Sequence, residues 1–567
     1  MKTPHAHHSD YANPELLAKI PLNAKTILDV GCSWGTLGAA YLRRNPQCRV
    51  LGIELDAEAA AIARGNITEV ACCDVERMPM PFEVPEGIDC IIYGDVLEHL
   101  ADPWALLATH AQYLAPEGTV LVCMPNAEHW SFVERLLRGT FKYDEQGLFD
   151  QSHLRWFTPR TMGAALQAAG LAPADLTARA IPARDQAEAF TQALVPALQA
   201  LGIDPNEYFN RAAPLQFVWR ARKRAMPMLG IAATMLAPQG GVSDVRVVEP
   251  IHTLTTDSAM LAKVLAEEAI APLAPGLPQI AILHRPLLSG PAGLHRIRRL
   301  LDMGYLVVTE FDDHPVFLEE RGLDVADIYS FRGVHAVQTS TVPLAEALLP
   351  GNPEVAVFPN AIFELPEVIN FADPEHMTFF FAALNRQADW APYIGAINEV
   401  ARAVGGRLHF QVMFDEGFFN ALETPHKSFE PLSDYASYRK RLAGAEISFM
   451  PLGDTVFNRA KSDLKFIEAG AARVAALASP VVYGNVIQDG KTGLLFRDPG
   501  ELRAALLRLL AYPEAAKRMA GAARAYVSSQ RMLAYQMEAR MGWYRKLWER
   551  REELNEALRA RVPELFT

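Results

Sequence analysis

The chain is poor in the features that mark exported, membrane-spanning or nucleic-acid-binding proteins. Only six of its 567 residues are cysteines: Cys32, Cys48, Cys72, Cys73, Cys90 and Cys123. None forms a CxxC or Cys/His spacing, so a zinc site is not expected, and the thiols read as small buried hydrophobes in a reducing cytoplasm. The amino terminus lacks the basic-then-apolar pattern of an export signal. The longest apolar run, residues 225–238, follows the basic stretch Arg220 to Arg224 and contains Pro227. At about 14 residues it falls short of the roughly 18 that a spanning helix needs, so a buried strand is expected. Positive charge is scarce as well. Lys and Arg number 54 against 66 Asp and Glu, a net charge of -12, which argues against a nucleic-acid partner. A cytoplasmic protein is expected, with the inner face of a membrane left open.

What is present is a globular composition, 50% hydrophobic and 21% charged. The length suggests roughly three to four domain-sized units. Over residues 25–122, short apolar runs at 26–30, 49–54, 69–73, 88–93 and 119–123 alternate with amphipathic stretches at 57–64 and 103–114. Such alternation predicts a parallel sheet with crossover helices, in which the ligand lies outside the carboxyl ends of the strands. The first strand ends in a glycine turn, Asp29 to Gly35, reading DVGCSWG. Gly31 and Gly35 allow the backbone close to a ligand at the start of a helix. Glu54, nineteen residues beyond Gly35, ends the second strand, where a carboxylate can accept ribose hydroxyls. Asp74 ends the third strand, and the fourth runs into Asp95 to His99, DVLEH.

This ordered set resembles the class I S-adenosylmethionine-dependent methyltransferases, in particular a bacterial small-molecule branch. Asp150 to Thr158, DQSHLRWFT, and Leu215 to Arg220, LQFVWR, are similar to later segments of that branch. The resemblance covers about residues 10–224 and implies a Rossmann-like fold. It also implies S-adenosyl-L-methionine as cofactor, held by Asp29, Gly31, Gly35, Glu54, Asp74 and Asp95. Ser33 stands where the family usually has a second glycine. A hydroxyl acceptor needs a base, and histidine suits neutral pH. His99 is the candidate catalytic residue, with a structural role beside it as the alternative. His129 also follows the fifth strand, and His153 and Tyr143 are further acceptor contacts.

Beyond Arg224 the pattern restarts. Strands are predicted at 228–235, 245–248, 279–284, 306–311, 336–339 and 355–358, with helices at 259–268 and 291–303. A second series follows at 377–382, 408–413, 447–450, 473–478 and 481–483. Val355 to Ile362, VAVFPNAI, resembles the hinge of GT-B glycosyltransferases. Phe380 to Arg386, Phe466 to Gly470 and Asp489 to Leu495 are similar to the donor-binding end of the family-4 type. The implied fold class is α/β throughout: a methyltransferase domain, 1–224; a GT-B acceptor lobe, 225–360; a donor lobe, 361–530; and a charged carboxyl-terminal helix, 531–567.

The resemblance implies a nucleotide-sugar donor, a glycan or glycoconjugate acceptor, and no metal. Asn360, Arg386, Lys461, Lys465 and Glu468 are the donor-binding candidates. The spacing of Lys461 and Lys465 predicts one helix face. Asp313 and His314, after the strand ending near Phe311, are catalytic candidates, with a helix-capping role for His314 as the alternative. Two departures stand out: Ala460 where a first glutamate is expected, and Asp389 with Trp390 where a lysine is expected. The aromatic patch of Trp543, Tyr544, Leu547 and Trp548 predicts a helix packed across both lobes, with a homodimer or membrane contact left open. The expected whole is a bifunctional transferase; the alternative is a methyltransferase with a non-catalytic glycan-binding module.

Overall fold

The computed structural model describes residues 11–235, 241–319, 322, 328–373 and 375–567. The first residues of the chain and the last three of the 225–238 run lie outside them. The chain divides into two compact units. The first comprises Met1–Pro227 together with the five residues Thr255–Ala259, and the second comprises Met228–Leu254 with Met260–Thr567.

The first unit is built on seven strands: β1 (Thr26–Val30), β2 (Arg49–Glu54), β3 (Glu69–Cys72), β4 (Ile88–Gly94), β5 (Leu114–Pro125), β6 (Ala172–Arg179) and β7 (Gln216–Arg222). Their order is β3-β2-β1-β4-β5-β7-β6, parallel except for β7, which runs antiparallel to both its neighbours. Alternate residues feed opposite faces. Leu28 and Val30 join one apolar layer with Leu51 and Ile91, while Ile27 joins the other with Val50, Cys90 and Ile92. The crossover helices start where expected. The Asp56 carboxylate accepts from the N–H groups of Glu58 and Ala59, and Asp102 caps a helix with Pro103 at its first position. Four of the cysteines are buried, but Cys72 is exposed on the edge strand β3. Chain order reverses between β1 and β4, which makes their carboxyl ends the ligand-binding edge.

The segment Thr255–Ala259 completes this unit. The Arg220 guanidinium donates to the carbonyls of Thr255 and Thr256, each at 2.9 Å, and Arg222 pairs with Asp257 at 2.8 Å.

The second unit holds two six-stranded, all-parallel sheets. The first contains β8 (Leu229–Met235), β9 (Met260–Val264), β10 (Gln279–His284), β11 (Leu306–Glu310), β12 (Ala336–Thr339) and β13 (Val355–Val357), in the order β13-β12-β11-β10-β8-β9. The second contains β14 (Met377–Ala382), β15 (Leu408–Met413), β16 (Lys427–Glu430), β17 (Ile447–Met450), β18 (Ala475–Ala478) and β19 (Leu494–Leu495), in the order β16-β15-β14-β17-β18-β19. In the latter, order reverses between β14 and β17.

Several local expectations are overturned. Residues 245–248 are not a strand but a π-helical turn, Asp244–Val248, running into the helix Glu249–Leu254. The expected helix at 259–268 is instead the edge strand β9, paired in parallel register with β8, because that apolar stretch is captured by an open sheet edge. Residues 481–483 form no strand: Val482 sits at φ +67, and the last ladder position goes to β19. The carboxyl-terminal helix is two helices, Met537–Glu549 and Arg551–Arg561, broken at Arg550. Tyr544 and Leu547 of the aromatic patch are buried, and Trp543 packs on Phe358 at 5.5 Å. The patch therefore serves the first lobe's packing. Among the described residues, no helix is long and apolar enough to cross a membrane.

Candidate active site

In the first unit the glycine turn follows β1. Gly31 takes φ +70, and a Cβ there would lie 2.5 Å from Val96 Cγ2, so no side chain fits. Ser33, in place of the usual glycine, adopts the left-handed φ of +51, and Gly35 takes +74. Glu54 is tied to this turn: its carboxylate accepts from the N–H groups of Ser33 at 2.8 Å and Asp56 at 2.9 Å. Each oxygen keeps lone-pair capacity for a ligand. Asp29 lies inside, 5% exposed, and burial, reinforced by the Glu54 charge, pushes its carboxyl up to about 7. Asp74 accepts from the N–H of Glu76 at 3.0 Å and pairs with Arg77 at 3.3 Å. Asp95 stands at φ +56 and accepts from the Gln216 amide at 2.5 Å. Gln216, on β7, is tied to this strand-end carboxylate, and only its strand was legible in the sequence.

Beyond Asp95, the helical turn Leu97–His99 delivers Glu98 and His99. Glu98 is 1% exposed, and neither of its carboxylate oxygens has a hydrogen-bond partner. Burial, then the charge of Asp95, pushes this carboxyl well above its usual range. The Glu98 carbonyl accepts from the N–H groups of Leu154 and Arg155, at 2.7 and 3.0 Å, which draws the 150–155 loop against it. His153 on that loop meets His99 edge to face at 4.8 Å between ring centres. His99 Nδ1 lies 3.2 Å from Ser152 Oγ and 3.4 Å from the Ser152 carbonyl. The Ser152 hydroxyl in turn donates to Asp150 at 2.6 Å. His129 is nearly buried, and burial lowers it to about 4, so it is neutral. Tyr143 is 55% exposed and packs edge-on against Phe141. No cysteine spacing signals Glu98 as part of a cluster with His99 and His153; the three meet only in the fold.

In the second unit, the switch between β14 and β17 collects a polar network. Arg386 donates to Asp389 at 3.1 Å and to Asn458 at 2.8 Å. Asp389 also accepts from the Gly453 N–H at 2.7 Å and the Asn458 amide at 2.9 Å. Asp389 and Asn458 thus take up the arginine near the two departures from the family pattern. Lys461 pairs with Asp313, which also meets Arg285 at 3.0 Å. Lys461 precedes the helix Leu464–Ala471 that holds Lys465, so the two lysines do not share a helix face. Lys465 is enclosed and donates to the Ala382 carbonyl at 2.7 Å; burial lowers its pKa. Glu468 is 6% exposed and accepts from the hydroxyls of Tyr435 and Tyr438, each at 2.8 Å. The cavity beside it, about 20 Å³, has room for one water. Asn360 is buried, accepting from Arg246 at 2.8 Å and donating to Ser462 at 2.7 Å. His314 Nδ1 accepts from the Val316 N–H at 3.1 Å and so caps a short helical turn. A separate cavity of about 330 Å³ is lined by Lys491, Arg508, Tyr512 and Arg518 and by none of the candidate residues.

Residues 5–176 match the family described as a methyltransferase domain. A trans-aconitate 2-methyltransferase of Azoarcus sp. is 33% identical over 128 residues, 22% of this chain and 49% of the relative. The chain thus spans about half the length of that relative. A ubiquinone biosynthesis O-methyltransferase of Stutzerimonas stutzeri is 25% identical over 161 residues, 28% of this chain and 68% of the relative. Among solved structures, a SAM-dependent methyltransferase from Archaeoglobus fulgidus superposes with a TM-score of 0.28 at 14% identity, covering 37% of this chain and 90% of its own. TarM of S. aureus superposes with a TM-score of 0.35 at 11% identity, covering 47% of this chain and 55% of its own. The family match and the curated relatives support a methyltransferase domain in the first unit, whose sheet is Rossmann-like, with S-adenosylmethionine as its cofactor. The turn closed to a Cβ at Gly31, with the carboxylates Glu54, Asp74 and Asp95 along the same edge, fits that cofactor.

Proposed function

We propose that the chain is a bifunctional transferase. Its first unit is an S-adenosylmethionine-dependent O-methyltransferase, and its second a GT-B-type glycosyltransferase with a nucleotide-sugar donor. Both act on one bacterial-type surface glycan or glycoconjugate, at the cytoplasmic side. The observation that carries the first half is the Gly31 turn with Glu54 hydrogen-bonded across it, at the reversal of a seven-stranded sheet. When bound, the cofactor supplies an electrophilic methyl group on a sulfonium. Glu54 and Asp74 are assigned its ribose and adenine, and Gly31 and Gly35 the close backbone approach. The chain's remaining task is to align an acceptor hydroxyl and handle its proton. His99 Nδ1 faces a carbonyl and a serine oxygen whose proton is directed at Asp150, so Nδ1 is the protonated nitrogen. That leaves the lone pair on Nε2, at the carboxyl edge of β4.

For the second half the support is the polar network at the β14/β17 reversal, with Arg386 and Lys461 as cations for a diphosphate. Glu468 is assigned the donor ribose. A second reading, a methyltransferase with a non-catalytic glycan- or nucleotide-binding module, is favoured by a specific observation. Each of these groups is already engaged inside the protein: Arg386 by Asp389, Lys461 by Asp313, Glu468 by two tyrosines.

Incubating the full chain with S-adenosylmethionine, a panel of nucleotide sugars and glycan acceptors decides between them. The bifunctional reading expects Glu468→Gln to abolish sugar transfer and leave methylation intact. A chain that binds nucleotide but transfers no sugar from any donor establishes the second reading. Methylation of something unrelated to the glycosylated product would sink the coupling of the two activities.

A further inference from the structure

We propose that Glu98, His99 and His153 form a binding site for a divalent cation of the class that imidazole and carboxylate share, such as Zn²⁺, Mn²⁺ or Fe²⁺. One ligand atom from each residue lies within 4.8 Å of the other two, close enough for one ion to touch all three. Two imidazoles and one carboxylate on one side of an ion leave its other positions open, the arrangement expected of a site that takes a further oxygen ligand.

Three independent observations point the same way. First, both oxygens of the Glu98 carboxylate are buried and have no hydrogen-bond partner. Nearby Asp95 and Asp150 add negative charge. A buried carboxylate with neither partner nor counter-charge is costly, and a cation at this point removes that cost. Second, His153 bonds the Leu148 carbonyl, while its Nδ1 is buried without a partner. The bond to a carbonyl must come from the other ring nitrogen carrying the proton, which leaves a bare lone pair on Nδ1. Third, His99 donates its Nδ1 proton to Ser152, and Ser152 is itself held by Asp150. A ligating histidine whose second nitrogen is fixed by an outer partner is the usual supporting arrangement of a metal site.

The ligands come from two segments that the backbone binds together. Leu154 and Arg155 donate to the carbonyl of Glu98 itself, so the loop bearing His153 is held against the turn bearing Glu98 and His99. The spacing in sequence, two adjacent residues and a third 54 positions on from His99, is invisible without that contact. Arg155, the nearest basic residue along the loop, sends its guanidinium to the Ala101 and Leu154 carbonyls and does not reach the cluster's carboxylate.

The role of the ion rests on the methyl-transfer reading. An acceptor oxygen in an open coordination position becomes more acidic and is fixed in place at the carboxyl edge of β4, its proton leaving to water. His99, with Nε2 ligating, is then a ligand and not the proton acceptor.

The test uses the full-length protein, stripped with a chelator and titrated with Zn²⁺ and Co²⁺. Calorimetry and the visible absorption of bound Co²⁺ are the readouts, and S-adenosylhomocysteine binding is measured in parallel. The expected result is one ion per chain, stoichiometric binding lost in His153→Ala and in Glu98→Gln, and S-adenosylhomocysteine binding kept. Ser152→Ala, which removes no ligand, is expected to weaken the ion about ten-fold, as loss of an outer partner does. The proposal is overturned if the stripped protein binds no ion stoichiometrically, or if both ligand variants bind it as well as the parent. Loss of S-adenosylhomocysteine binding alone, with the ion still bound, would overturn the methyltransferase reading and leave the site standing.

Discussion

The pair Arg222 and Asp257 offers the sharpest quantitative test of how the first unit is assembled. Asp257 belongs to Thr255–Ala259, a five-residue segment that follows the whole methyltransferase sheet in sequence yet belongs to its unit. The side chains of Arg222 and Asp257 are 7% and 12% exposed, and their contact is 2.8 Å. Asp257 also accepts from the Ala259 N–H at 2.7 Å, which holds the segment's own turn. Asp257→Ala leaves a buried guanidinium whose other acceptor among the described residues is the Glu117 carbonyl at 3.3 Å. Removing one member of a buried pair costs about 3–5 kcal/mol. For a unit of this size that is a fall in melting temperature of roughly 6–20 °C, at 2–4 °C for each kcal/mol. Asp257→Asn keeps an acceptor for both bonds and loses only the charge, so it should fall between parent and alanine variant. The assay is thermal unfolding of the full chain with and without S-adenosylhomocysteine, since the transition that moves with ligand belongs to the first unit. A loss below about 0.5 kcal/mol in the alanine variant, the range of ordinary surface substitutions, would refute the buried-pair reasoning.

Three further outcomes are expected. Gly31→Ala should abolish S-adenosylhomocysteine binding in calorimetry, because the new methyl lies 2.5 Å from Val96 Cγ2; adding Val96→Ala relieves the clash but not the strain of φ +70, so only partial recovery is expected. Asp29, raised from 3.8 to about 7, holds its proton more tightly in the folded state. Its contribution is complete below pH 4 and lost as pH rises through 7, on the order of 4 kcal/mol at 1.36 per pKa unit. Asp29→Asn should flatten that part of the curve, with the advantage of the variant growing from pH 5 to about 7.5 in chemical unfolding. Asp389→Asn should release Arg386 from its carboxylate and tighten nucleoside diphosphate binding about 3–10-fold by calorimetry; unchanged affinity would separate Arg386 from the diphosphate.

Much of the fold was legible because parallel strands buried on both faces read as short continuous apolar runs. The strands β1, β2, β10, β12, β14, β15 and β17 fall where those runs lie. Two failures came at sheet edges. β9 was read as a helix and β16 was not read at all, because an edge strand is selected by the backbone groups a neighbour offers rather than by its own pattern. The same limit governed the lysines. A four-residue spacing suggested one helix face for Lys461 and Lys465, but Asp463, anchored to Arg531, starts the helix between them.

The sequence by itself determined the carboxyl-edge residues of the first unit, since a glycine turn followed at fixed intervals by strand-ending carboxylates is a local pattern repeated along one sheet. Tertiary structure alone decided which charges are spoken for. That Arg386 reaches Asn458, that Glu468 is held by two tyrosines, and that Glu98 lies buried beside His153 all depend on contacts between segments tens of residues apart. An ionisable side chain's chemistry is set by its neighbours and its distance from water, and chain order specifies neither until the backbone has folded.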